Sequence, residues 1–152
     1  MKAKLATTLL VLGLFAASQA RAAEGAIHEV AIAANDQMKF SVTEIKATPG
    51  EAIHVRLTNT GTMPKQVMGH NWVLLKAGQD PVAYANAAAP AAGENYEPKA
   101  LAERVIASIP LLGPKKEGEV TFMAPATPGI YYYLCSFPAH CQAGMRGKLV
   151  VQ

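Results

Sequence analysis

The sequence predicts an all-β fold, an antiparallel sandwich or barrel, on three observations. Short apolar or alternating segments recur along the chain, Gly and Pro punctuate them, and no succession of helical segments links one to the next. Residues 27–34 are the first strand candidate, closed by Asn35-Asp36-Gln37, and residues 39–47 the second, ended by Thr48-Pro49-Gly50. In residues 51–58 the alternation is clean. Ile53, Val55 and Leu57 take one face and His54, Arg56 and Thr58 the other, the pattern of a strand with one wet side. Residues 71–75, 104–108, 118–123, 129–135 and 148–151 complete the set. Trp72 and Met123 are expected in the core, His28 and His54 in solvent, and Tyr132 opposite Tyr131 and Tyr133. Residues 79–103 break the pattern: alanine-rich and interrupted by Pro81, Pro90, Gly93 and Pro98, they suit a helical flap outside the sandwich.

The start of the chain reads differently. Lys2 and Lys4 precede an apolar run over residues 5–17, and Ala20-Arg21-Ala22 follows, the layout of a cleaved secretory signal. The run is too short for a retained membrane span, so residues 1–22 are expected to leave, with cleavage after Ala22 or Ala20, and residues 23–152 to form one exported, periplasmic domain. The 14 Lys and Arg against 11 Asp and Glu then become balanced, because Lys2, Lys4 and Arg21 depart with the signal. A neutral domain has no electrostatic footprint for nucleic acid.

Two cysteines in an exported chain ordinarily suggest a disulfide. Here Cys135 and Cys141 flank His140, and Met145 follows on the same inter-strand segment, while His70 stands at the head of another strand. Two imidazoles, a thiolate and a weak thioether are the donors of an electron-transfer copper site. His and Cys also suit zinc, but the methionine favours copper. Disulfide and metal site remain alternatives for Cys135. Cys141 is read as a partly buried free thiol, a reactive thiol or an alternative ligand.

The segments Asn35-Asp36-Gln37-Met38, Pro64 to Leu74, Arg104-Val105-Ile106-Ala107 and Cys135-Ser136-Phe137-Pro138-Ala139-His140 resemble, in order, those of the azurin family of cupredoxins. The resemblance implies an eight-stranded Greek-key β-sandwich and a blue-copper electron carrier rather than an enzyme. One copper would be held by His70, Cys135 and His140, with Met145 axial and the Gly69 carbonyl a distant contact. Asn71 would tie the two ligand loops together. Met38, Met63, Val67, Met68, Phe137, Pro138 and Ala139 would form an apolar patch around the exposed edge of His140, where redox proteins (cytochromes, reductases or oxidases) dock. Two departures stand out. The Cys-x4-His-x4-Met spacing is closer to auracyanins, and the family's N-terminal disulfide has no cysteines to form it. A copper store or carrier would call for clustered Met and His, and a copper enzyme for further histidines. Only four histidines are present, two of them already assigned.

Overall fold

A computed structural model describes residues 26–152, so the signal reading of residues 1–22 lies outside the described residues. Among the described residues, nine strands form two facing sheets. One holds β1 (His28–Asn35), β2 (Lys39–Phe40), β4 (Ala52–Asn59) and β7 (Glu117–Met123), in the order β2-β1-β4-β7. The other holds β3 (Glu44–Ala47), β5 (His70–Leu75), β6 (Val105–Leu112), β8 (Gly129–Leu134) and β9 (Arg146–Val151), in the order β3-β9-β8-β5-β6.

The expected eight strands become nine because residues 39–47 cross from one sheet to the other. Ser41 makes the break. Its hydroxyl accepts a hydrogen bond from Ala33 N–H at 2.8 Å. Two residues on, the Thr43 carbonyl accepts from Lys148 N–H in the opposite sheet at 3.0 Å. Nor is the pairing antiparallel throughout, since β1 runs parallel to β4 and β3 to β9. Those contacts join segments distant along the chain, and local periodicity does not report them.

Alternation decides what each sheet buries. Ile53, Val55 and Leu57 are fully buried, and Trp72 packs against Tyr133 with ring centroids 5.3 Å apart. Burial of each such side chain is worth about 1.5–3 kcal/mol. Tyr132 faces outward between buried Tyr131 and Tyr133. Met123 is not a core residue. It pairs with Ala52 on the outer face and is 60% exposed, while its neighbour Phe122 turns inward onto Trp72. His54 is less solvated than its wet face suggested. Its side chain is 16% exposed, with Nδ1 2.7 Å from Glu29 and Nε2 3.5 Å from Glu119.

Two helices matter to the site. The single-turn α1 (Lys65–Met68) leads through Gly69 into β5. In the flap, α2 (Pro81–Ala88) starts at Asp80, whose carboxylate accepts from Ala83 N–H at 2.6 Å, with Pro81 in the first turn. Tyr84, Ala85 and Ala88 of α2 cover Val73, Leu75 and Leu134 on the outer side of the second sheet.

Candidate metal centre

β5 and β8 are antiparallel neighbours, with Val73 opposite Leu134. The start of one and the end of the other therefore reach the same end of the sandwich, which places His70 beside Cys135. Gly69 allows this approach: a Cβ there would stand 2.6 Å from the Lys65 carbonyl oxygen. The loop from Cys135 to β9 then folds back on itself, and Cys135 N–H donates to the Met145 carbonyl at 3.1 Å.

One donor atom from each of His70, Cys135 and His140 lies within 4.8 Å of the others, and all three residues are buried. Cys135 Sγ is 3.4 Å from His140 Nδ1, and the two imidazole centroids are 5.0 Å apart. Met145 is fully buried in the same core, its N–H bonded to the His140 carbonyl at 2.9 Å. Cys135 and Cys141 are both free thiols, so the disulfide alternative is set aside.

The electrostatics suit a cation. Burial holds the His70 imidazole below its ordinary pKa, with the Asp36 carboxylate and a nearby Asn35 carbonyl opposing the shift. That carbonyl does not reach hydrogen-bond geometry, and both ring nitrogens of His70 are buried without a partner. Burial, and then His70, lower His140 to about 4. Burial pushes the Cys135 thiol up to about 12, against backbone N–H groups of Asn71 and Phe137 that favour the thiolate. Two neutral imidazoles and a thiol thus converge, and neither ring nitrogen of His70 has a partner, an arrangement uncommon in a protein interior. These soft and borderline donors, with a thioether beside them, fit copper.

Asn71 joins the two loops. Its Nδ2 donates to Ser136 Oγ at 2.7 Å, and its Oδ1 accepts from Ser136 N–H at 2.8 Å, both residues being buried. Of the anticipated patch, Met63, Val67 and Ala139 are exposed and Met38, Met68 and Pro138 half-buried. Phe137 is not a surface residue. It is 8% exposed, wedged between Tyr96 (5.0 Å between centroids) and His140 (4.6 Å). His140 itself is 2% exposed. Sequence reasoning missed Tyr96, whose carbonyl accepts from Ser136 Oγ at 2.5 Å. It lies in the flap, where no local pattern points to the site.

Residues 26–152 match the family model of copper-binding proteins of the plastocyanin/azurin family. The chain belongs to this family. Auracyanin-A of Chloroflexus aurantiacus is 40% identical over 120 residues, which cover 76% of this chain and 68% of that protein. The azurin of Bordetella pertussis is 39% identical over 123 residues, covering 79% and 81%. A reduced auracyanin from Roseiflexus castenholzii superposes with a TM-score of 0.72 at 34% identity, covering 84% of this chain and 99% of that one. A two-sheet sandwich with the His, Cys, His and Met cluster at one end is thus the cupredoxin arrangement, and its neighbours include both branches of the family to which the ligand loop pointed.

Proposed function

We propose that this cupredoxin is a one-electron carrier whose single copper is held by His70, Cys135 and His140, with Met145 axial and the Gly69 carbonyl a distant contact. The observation that carries the reading is the buried trio of donor atoms, within 4.8 Å of one another. Copper, when bound there, supplies a reversible one-electron couple. The chain's own contribution is fixity. β5 and β8 hold His70 and Cys135, Asn71 locks one ligand loop to the other, and the bond from Met145 N–H to the His140 carbonyl ties the remaining two residues together. Donors that barely move suit both oxidation states of the metal.

A carrier, rather than an enzyme, also fits four protein donors that leave no open position for a substrate. Met63, Val67 and Ala139, with half-buried Met38, Met68 and Pro138, offer an apolar face beside the His140 loop for transient docking of redox proteins. The basic, apolar and small-residue succession over residues 1–22 supports export to the periplasm, where residues 23–152 act.

The test is to load residues 23–152 with Cu(II) and record the visible spectrum. An intense thiolate-to-copper band that disappears on reduction, and in Cys135→Ser, is expected. Colourless protein that still binds copper would take the thiolate out of the site and overturn the reading.

A further inference from the structure

We propose that α2 is a clamp that positions His140 and Met145, and that Cys141 and Gln142 are the residues through which it acts. The proposal rests on the copper reading only for the identity of the metal.

The ligand loop contains one closed turn. Ala143 N–H donates to the Ala139 carbonyl at 2.9 Å, Gly144 N–H to Cys141 at 3.0 Å, and Met145 N–H to His140 at 2.9 Å. Gly144 is left-handed, with φ +95°. This is the helix-ending turn in which nested bonds are closed by a glycine at the left-handed position. Its outermost bond spans five residues, so the His-x4-Met spacing is what closes it, and one residue fewer would not.

Successive side chains on such a turn diverge by roughly 100°. When His140 points toward His70 and Cys135, Cys141 must therefore point elsewhere. It points under the flap, fully buried among Val73, Leu75 and Leu134 of the sheet and Tyr84, Ala85 and Ala88 of α2. The next residue makes the polar contact: Gln142 Nε2 donates to Asn86 Oδ1 on α2 at 2.7 Å. The same apolar cluster backs every ligand-bearing segment, since Leu134 precedes Cys135, Cys141 follows His140 and Val73 lies on the strand that His70 opens. Ala85 and Ala88 are short enough for the helix to come close, and cysteine behaves there as a small apolar side chain. His140 cannot swing away without drawing Cys141 out of its socket.

The test compares Cys141→Ala, Ala88→Leu, Asn86→Ala and Asn86→Asp in the copper-loaded protein, with Ile32→Val in the first sheet as a stability control. Cys141→Ala empties the socket, Ala88→Leu forces the helix outward, and Asn86→Asp keeps the acceptor that Asn86→Ala removes. The first two should shift the visible thiolate-to-copper band and the copper hyperfine splitting, and weaken copper affinity roughly tenfold, as loss of ligand-orienting contacts does. Asn86→Ala should shift them less and Asn86→Asp not at all. Ile32→Val should lower stability while leaving the spectrum unchanged. Unchanged spectrum and affinity in the α2 and Cys141 variants, at equal or greater loss of stability, would reduce the clamp to ordinary packing. Should Ala88→Leu fail to fold, Asn86→Ala and Cys141→Ala decide. Should the unsubstituted protein show no thiolate–copper band, the copper reading fails instead. The clamp is then judged by NMR on the metal-free protein, where Cys141→Ala must move the His140 and Met145 resonances for it to stand.

Discussion

Asn71→Ala should cost the metal-free protein about 2–4 kcal/mol, a magnitude that follows from what the side chain leaves behind. Asn71 makes two buried hydrogen bonds to Ser136, one to the hydroxyl at 2.7 Å and one from the backbone N–H at 2.8 Å. Truncation orphans the Ser136 N–H, and an unsatisfied buried donor costs about 1–3 kcal/mol. The hydroxyl loses less, about 1 kcal/mol, because it still donates to the Tyr96 carbonyl. Urea unfolding of reduced residues 23–152 measures the loss directly, with m checked for constancy. Because Ser136 adjoins Cys135, copper affinity should also fall about 10–100-fold. A double-mutant cycle with Ser136→Ala supplies the sharper check. If the two residues act as one bridge, the combined loss falls short of the sum by about 0.5–3 kcal/mol. A stability loss below about 1 kcal/mol together with simple additivity would refute the argument, since the two loops would then be held by something other than this pair.

Three further outcomes are expected. Ala139 has φ +69°, which costs an L-residue about 1–2 kcal/mol. Ala139→Gly should therefore raise metal-free stability by up to about 1 kcal/mol, glycine's greater freedom in the unfolded chain offsetting part of the relief; a loss in thermal unfolding would argue against strain there. Gly147→Ala would place a Cβ 2.3 Å from the ring of buried Tyr133, so its midpoint in urea should drop by the equivalent of about 1–3 kcal/mol, the usual range for overpacking. The Glu51 carboxylate is held below its ordinary pKa by the Thr48 N–H, and secondarily by the Thr48 hydroxyl and His28. A depressed folded pKa gives stability that is fully present above the ordinary value of 4.5 and lost as pH falls through the lowered one. Glu51→Gln should accordingly flatten the acid limb of the stability profile below pH 4.5, and an unaltered acid limb would count against the linkage.

Much of the architecture was legible because alternation is a local signal. Ile53, Val55 and Leu57 announce the buried face of β4 whichever strands lie beside it. What the pattern does not carry is partnership. Residues 39–47 read as one strand since nothing local tells Ser41 that its neighbours belong to different sheets, and Met123 reads as core because a strand's faces are distinguished only by what packs on them. The cluster of His70, Cys135, His140 and Met145 was legible for a different reason. Their residue types are rare in combination, and three of them fall within eleven residues of one another. Their surroundings were not legible. Tyr96 and Asn86 reach the site from a flap whose alanine-rich sequence holds no trace of what it covers. Cys141 looked ambiguous in sequence, and only the packing of α2 gives it a place.

The structure also shows why a metal should find this site ready made. The hydrogen bonds that close the ligand loop run mainly through groups other than the donor side chains, apart from the Cys135 Sγ to His140 Nδ1 contact at 3.4 Å. The turn is held by backbone groups from Ala139 to Met145, and the link to β5 by Asn71 and Ser136. His70 is thereby left with two buried nitrogens that bond nothing, and Cys135 with a thiol that burial keeps protonated up to about pH 12. The unpartnered His70 nitrogens are a local cost in the metal-free protein, of the order of 1–3 kcal/mol for an unsatisfied buried polar atom. A fold that holds such groups in place must draw its stability from elsewhere, here from the facing sheets and the cluster under α2. Metal binding then orders nothing new. It relieves groups already positioned and releases the Cys135 proton, so affinity should rise with pH while the backbone of residues 135–145 stays as it is.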